Sequence, residues 1–329
     1  MKIFVTRNIP TSKLHWLNGG GREVVVSPYD RPLSASELLE MGAGSDILLT
    51  LLTDKITAEV ADAIGPQLRM ISNYAVGYDN IDVEAMTKRG IVVTNTPCDE
   101  VNESVAELTW CLMMSLARRV VEADQATRQG AYKGWEPSVF LGHTFIGKTL
   151  GIVGMGRIGS MVARRAQGFQ MKVLYYNRSR DQKAESELGV EYAESLESLL
   201  SQSDFVSLNV PLTKETHHLI NYDTIYKMKK GAILVNTARG SVVHEQALVD
   251  ALRQGHLGGA GLDVFENEPN INPELVAMEN VILTPHIASA TYEAREKMGE
   301  LAVVAINDFL EGKMPSNIVN KQVWDKRKS

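Results

Sequence analysis

Three residues of this chain have the types that hydride transfer to a carbonyl requires: Arg239 after the run AILVNTA, Glu268 after GLDVFEN, and His286 at the end of VILTPH. Reducing a ketone leaves an alkoxide, which must take a proton from a group that titrates near neutrality, and histidine is the natural donor. His286 is assigned that task. A carboxylate on the far ring nitrogen fixes the tautomer and favours the imidazolium, a part assigned to Glu268. Arg239 offers a fork of donors that can grip a carboxylate and lend positive charge to a neighbouring carbonyl oxygen. Taken singly, each has a plainer reading: a surface histidine, a solvated loop charge, an arginine on a cofactor phosphate. Position joins them, since all three stand just past apolar strands, where open parallel sheets bind their ligands.

The segment Gly154-Met155-Gly156-Arg157-Ile158-Gly159 supplies a partner for that chemistry. This G-x-G-x-x-G follows the apolar strand TLGIVG and opens a helical stretch, the context in which it signals dinucleotide binding. Its glycines permit a tight turn, a close backbone approach to pyrophosphate, and tight packing of helix on strand. The next strand, KVLYYN, ends in Asn177, 18 residues past Gly159. An acidic residue there would accept the ribose hydroxyls and repel a 2′-phosphate. Asn177 carries no such charge, and Arg178, Ser179 and Arg180 offer two guanidinium groups and a hydroxyl to a phosphate. The expected cofactor is therefore NADP(H), with NAD(H) possible. In the alternative, Arg178 stacks on adenine, Arg180 is a solvated charge, and both cofactors serve.

These residues need two sheets to position them. The 329 residues alternate short apolar runs with helical periodicity, the pattern of a parallel sheet with crossover helices, and they do so twice. Strands are predicted at 2–6, 23–27, 46–52, 68–75 and 91–96, with helices near 11 and at 34–41, 57–64 and 82–89. Six more begin at TLGIVG and continue through KVLYYN, FVSLNV, AILVNT, GAGLDV and VILTPH. The expected fold class is α/β: a Rossmann dinucleotide-binding domain over 99–290, and a flavodoxin-like substrate domain over 1–98 and 291–320. A long helix from Thr291 to Leu310 would return the chain to that domain, and the polar, basic tail 321–329 is expected to be disordered. Between the two series, LTWCLMMSLA is apolar almost all round and so must be buried on more than one side, either between the domains or, as the aromatic stretch 130–145 favours, at a subunit interface. A formal charge of −6 and the lack of a basic block argue against nucleic acid. No apolar run reaches the length of a membrane span, and the opening MKIFVT reads as a strand, so a cytoplasmic protein is expected. Cys98 and Cys111 are too few and too widely spaced for a disulfide framework or a metal site, and no metal is expected.

The motifs VGYDNID (76–82), GKTLGIVGMGRIG (147–159), NVPLT (209–213), NTARGSVV (236–243), GLDVFENEP (261–269) and TPHIASAT (284–291) together resemble the D-isomer-specific 2-hydroxyacid dehydrogenases over nearly all of residues 1–320, most of all their glyoxylate and hydroxypyruvate reductases. The resemblance implies reduction of a small 2-oxo acid such as glyoxylate or hydroxypyruvate. Its catalytic arginine, glutamate and histidine fall on Arg239, Glu268 and His286. It implies that Val76 and Gly77 bind the substrate carboxylate through backbone amides, and that Leu52 lines the same pocket. It lays the cofactor along the glycine loop and residues 177–180, and against Val210, Pro211, Thr237, Ala238 and Ala288. Asp263 would hydrogen-bond the nicotinamide carboxamide, or else cap a turn. Thr109 would touch the cofactor, or else serve helix packing. It also implies a homodimer in which Trp135 enters the neighbouring subunit's substrate pocket or anchors the interface. No room remains for the regulatory domain of longer phosphoglycerate dehydrogenases. Val76 stands where phosphite-oxidising relatives have lysine, and Glu268 is a partner that formate dehydrogenases lack. The non-enzyme alternative is a nicotinamide-binding corepressor acting through protein contacts.

Overall fold

The structure, a computed structural model, describes residues 1–327. It divides into two compact units, Met1–Val101 with the chain from Ala290 onward, and Asn102–Ser289.

The first unit is built on five parallel strands, β1 (Lys2–Val5), β2 (Glu23–Val26), β3 (Ile47–Leu51), β4 (Met70–Tyr74) and β5 (Val92–Thr94), in the order β2-β1-β3-β4-β5. This is the flavodoxin-like order. Ile3, Ile47, Met70 and Val92 pair in one row across the sheet. β4 is buried along its whole length, as expected of a strand with helices on both faces. Ser34 and Glu37 form a capping box at the start of the helix Ala35–Gly42, while Thr57 and Asp82 cap those at Ala58–Ile64 and Val83–Lys88. The helix predicted near residue 11 is instead a single 3₁₀ turn at Leu14–Leu17. The long helix Tyr292–Leu310 lies against β4, where Ser72 Oγ donates to Ala302 O at 3.1 Å and Tyr74 Oη to Arg295 O at 2.9 Å.

The tail is not disordered over its described part. A 3₁₀ helix runs over Lys321–Lys326 with Val323 buried, and the preceding Asn320 side chain joins Val93 N, Ile91 O and Thr87 Oγ1. One apolar side chain and one asparagine outweigh a polar composition once the edge beside β5 is there to receive them. Residues 328 and 329 lie outside the described residues.

The second unit holds seven parallel strands, β6 (Thr149–Val153), β7 (Lys172–Tyr176), β8 (Glu191–Tyr192), β9 (Phe205–Leu208), β10 (Ala232–Asn236), β11 (Leu257–Leu262) and β12 (Val281–Leu283), ordered β12-β11-β10-β9-β6-β7-β8. The sequence predicts six of them. β8 has only two residues, pairs by Leu174 with Glu191 and Tyr175 with Tyr192, and offers no apolar run to read. Alternate side chains divide the core: Val206, Leu208 and Leu234 face one cluster, while Phe205, Ile233 and Val235 face the other.

The helix Asp99–Ala117 packs Ala106, Trp110, Leu112 and Met113 into that second cluster, and Trp110 Nε1 donates to Val162 O at 3.0 Å. Its other side leaves Cys111 and Met114 exposed, so burial all round is not what a single chain provides. Val120, Val121, Tyr132, Trp135, Leu141 and Ile146 are exposed as well. No helix among the described residues is long and apolar enough to cross a membrane.

Candidate active site

In the second unit, β10, β11 and β12 lie side by side, and the loops at their carboxyl ends carry Arg239, Glu268 and His286. The Arg239 loop is pinned from both sides. Asn236 Nδ2 donates to Arg239 O at 2.9 Å, and a Cβ at Gly240 would stand 1.9 Å from the backbone of Phe265. Only glycine lets the loop after β10 lie that close to the loop after β11. There Glu268 Oε1 accepts from Phe265 N at 3.0 Å, and Glu268 Oε2 faces His286 Nδ1 at 2.9 Å. With Nδ1–H donated to the carboxylate, Nε2 is the ring nitrogen left to exchange a proton. Burial pushes the Glu268 carboxyl up. The hydrogen bond and charge of His286, the Phe265 N–H and the charge of Arg239 outweigh it and hold the group below its usual range.

His286 has a left-handed backbone, φ 55°, rare for a residue with a side chain. Its loop is held by Asp263. The Asp263 carbonyl accepts from His286 N at 2.9 Å, and the carboxylate accepts from Thr284 Oγ1 at 2.7 Å and from the Ile287 and Ala288 amides, each at 2.8 Å. Asp263 is wholly buried, and burial pushes its carboxyl up against those hydrogen bonds. These hydrogen bonds cap the turn that carries His286. Ala288 gives its amide to the same group. Thr109 is also wholly buried, its hydroxyl 2.8 Å from Thr237 Oγ1 and donating to Val105 O.

The glycine loop sits beside β9, between strands running to either side of the sheet, which is where the order reverses. Gly154 has φ 99°, and a Cβ there would meet Asn209 O at 2.6 Å. A Cβ at Gly159 would meet Gly154 O at 2.2 Å, whereas above Gly156 the space is open. The helix Arg157–Gly168 starts at Gly156 with no side-chain cap, so its first-turn amides, those of Arg157 and Ile158 among them, face outward. Open space over bare amides at a positive helix end fits a pyrophosphate.

At the end of β7, Asn177 Oδ1 accepts from Met155 N at 2.7 Å, tying the second strand to the glycine loop. Arg178 and Ser179 are exposed. Arg180 is exposed too, its guanidinium engaged by both oxygens of Glu185 at 2.8 Å, and Glu185 is held down to about 2 by that arginine and by Tyr175. Val210 and Ala238 are half-buried and Pro211 is exposed.

In the first unit, Leu52 directly follows β3, and Val76 and Gly77 lie in the loop after the adjacent β4; all three are half-buried. Trp135 is 86% exposed. Sequence reasoning missed a clasp that joins two loops of the second unit to the start of the helix Glu245–Arg253. Glu266 Oε1 meets His218 Nε2 at 2.5 Å, and Glu245 Oε1 accepts from Glu266 N at 2.7 Å. Its only trace in the sequence is the acidic residue two places before Glu268.

The sequence profile of the D-isomer-specific 2-hydroxyacid dehydrogenase NAD-binding domain matches residues 110–288. The chain belongs to this family. It is 52% identical to a glyoxylate reductase of Thermococcus kodakarensis over 331 aligned positions, covering 99% of this chain and 98% of the other. Among solved structures, a Thermus thermophilus protein superposes with a TM-score of 0.89 at 45% identity, over 97% of this chain and 100% of that one. An NADPH-dependent glyoxylate/hydroxypyruvate reductase of Sinorhizobium meliloti gives 0.83 at 31%, over 97% of each. As a 2-hydroxyacid dehydrogenase, the chain has a nicotinamide cofactor, and its glycine loop has the cradle for one.

Proposed function

We propose that this dehydrogenase reduces small 2-oxo acids, glyoxylate and hydroxypyruvate first, to the corresponding 2-hydroxy acids. The observation that carries the reading is the Glu268–His286 pair at the carboxyl end of a dinucleotide-binding sheet, one strand over from Arg239. The cofactor, when bound, supplies the hydride. Arg239 holds the substrate carboxylate and draws electron density toward the carbonyl oxygen. His286 Nε2 delivers the proton to that oxygen as it gains charge, and Glu268 keeps the ring oriented and its charge offset. Amides of Val76 and Gly77 take a share of the substrate carboxylate, and Leu52 limits the side chain the pocket accepts.

NADPH is the preferred cofactor in this reading, because Asn177 carries no charge to repel a 2′-phosphate and Arg178 stands exposed beside it. The Sinorhizobium relative is NADPH-dependent by description. A second copy of the chain covers the exposed apolar side chains from Met114 to Ile146, and the protein works in the cytoplasm. The test is oxidation of NADPH and of NADH with a panel of 2-oxo acids. Turnover of glyoxylate with an advantage for NADPH in kcat/KM supports the reading. Tight cofactor binding without turnover of any 2-oxo acid overturns it in favour of a binding protein.

A further inference from the structure

The loop after β4 is shaped by asparagines that the chemistry so far has not used. Asn95 Nδ2 donates to Val76 O at 2.7 Å, and Asn73 Nδ2 donates to Gly77 O at 3.1 Å. Each carbonyl is therefore held by a side-chain donor. Among the described residues no protein group accepts from the amides of Val76 or Gly77. Two consecutive amides without a protein acceptor are donors that an anion can take, provided that neither adjacent carbonyl oxygen swings round beside it. Each asparagine is itself held. Asn73 is wholly buried, and its Oδ1 accepts from Thr50 Oγ1 at 3.0 Å. Asn95 exchanges hydrogen bonds with Asn317, whose Nδ2 donates to Asn95 O at 2.6 Å. A third asparagine couples the loop to its neighbour: Asn80 Oδ1 accepts from Asn73 Nδ2 at 3.1 Å, while Asn80 Nδ2 donates to Leu51 O at 3.1 Å and Asp54 O at 3.0 Å. The residues on either side of Leu52 are thus fixed to the same frame.

We infer that Asn73 and Asn95 are positioning residues for substrate binding, holding the Val76 and Gly77 carbonyls back so that the two amides receive the carboxylate, with Asn80 setting Leu52 against them. The inference rests on the proposed reading of Val76 and Gly77 and names what makes it possible. Amide side chains suit the task because each supplies a neutral donor. An aspartate would offer an acceptor to an acceptor and place a negative charge under the site of an anion.

The test compares Asn95→Asp, Asn95→Ala and Asn73→Asp with the parent enzyme, measuring KM and kcat for glyoxylate, the dissociation constant of the reduced cofactor by its fluorescence, and the thermal midpoint. Asn95 is only half-buried, so its variants report even if Asn73→Asp fails to fold. A hydrogen bond to a charged group being worth about a factor of ten or more, KM is expected to rise about tenfold in Asn95→Asp and less in Asn95→Ala. kcat at saturation and the cofactor constant should stay close to parental. Unchanged KM in both Asn95 variants overturns the proposal, and so does a loss that ranks with the thermal midpoint rather than with charge. A parent enzyme that turns over no 2-oxo acid fails at the level of the proposed function, before the asparagines are compared.

Discussion

His286 stands in a conformation its residue type rarely adopts, fixed by one buried aspartate below and one glutamate beside it. His286→Ala removes the proton donor and leaves the glycine loop untouched, so kcat is expected to fall by about 10²- to 10⁴-fold while the cofactor dissociation constant holds. Parental turnover would take His286 out of the mechanism. Glu268 is depressed on folding, so its contribution to stability is present above its unfolded pKa and lost as pH falls through the folded value. It is thus an anion throughout the neutral range. Glu268→Gln keeps an acceptor for Nδ1–H and deletes the charge, and the alkaline limb of the reduction profile should then move to lower pH. An identical profile would deny Glu268 its part in stabilising the imidazolium. The three polar types were legible because each follows an apolar strand within a few residues. The work of Asp263 was not, since nothing in GLDVFEN says whether a carboxylate turns toward a ligand or into the next loop.

Loops carry the rest of the site, and their closeness depends on glycine. In Gly240→Ala the new methyl meets the Phe265 backbone, so the loops bearing Arg239 and Glu268 must part. kcat/KM for the 2-oxo acid should collapse, with a smaller loss of dinucleotide affinity because the Gly154–Gly159 turn two strands away is unchanged; retention of both would show that the approach is not needed. At the end of β7, Arg178→Ala and Arg180→Ala should each cost NADPH far more than NADH in kcat/KM. A ratio moved by neither would remove both arginines from the 2′-phosphate. Both were read from residue order alone, which does not reveal that a helix-borne glutamate five residues on engages Arg180.

For the molecule as a whole, the apolar side chains that the helix Asp99–Ala117 and residues 120–146 leave exposed are many for a surface that meets water. A dimer is expected in sedimentation at micromolar concentration, and a monomer there would defeat the proposal. If Trp135 also reaches the partner's substrate, Trp135→Ala should raise KM while the dimer persists. Unaltered substrate constants in a dimeric variant would leave it an interface anchor only.

The sequence by itself determined the two parallel sheets, the strand ends that bear Arg239, Glu268 and His286, and the glycine turn, because apolar periodicity and glycine spacing act locally and leave a local record. It did not determine where hydrogen-bonding groups separated along the chain would meet. Asp263 serving residues 284–288, Asn73 and Asn95 serving Val76 and Gly77, Glu185 claiming Arg180, and Val323 finding a buried place are outcomes of packing. Each polar group is free to choose among several partners until the tertiary structure brings one within hydrogen-bond reach and removes the water that would have served instead.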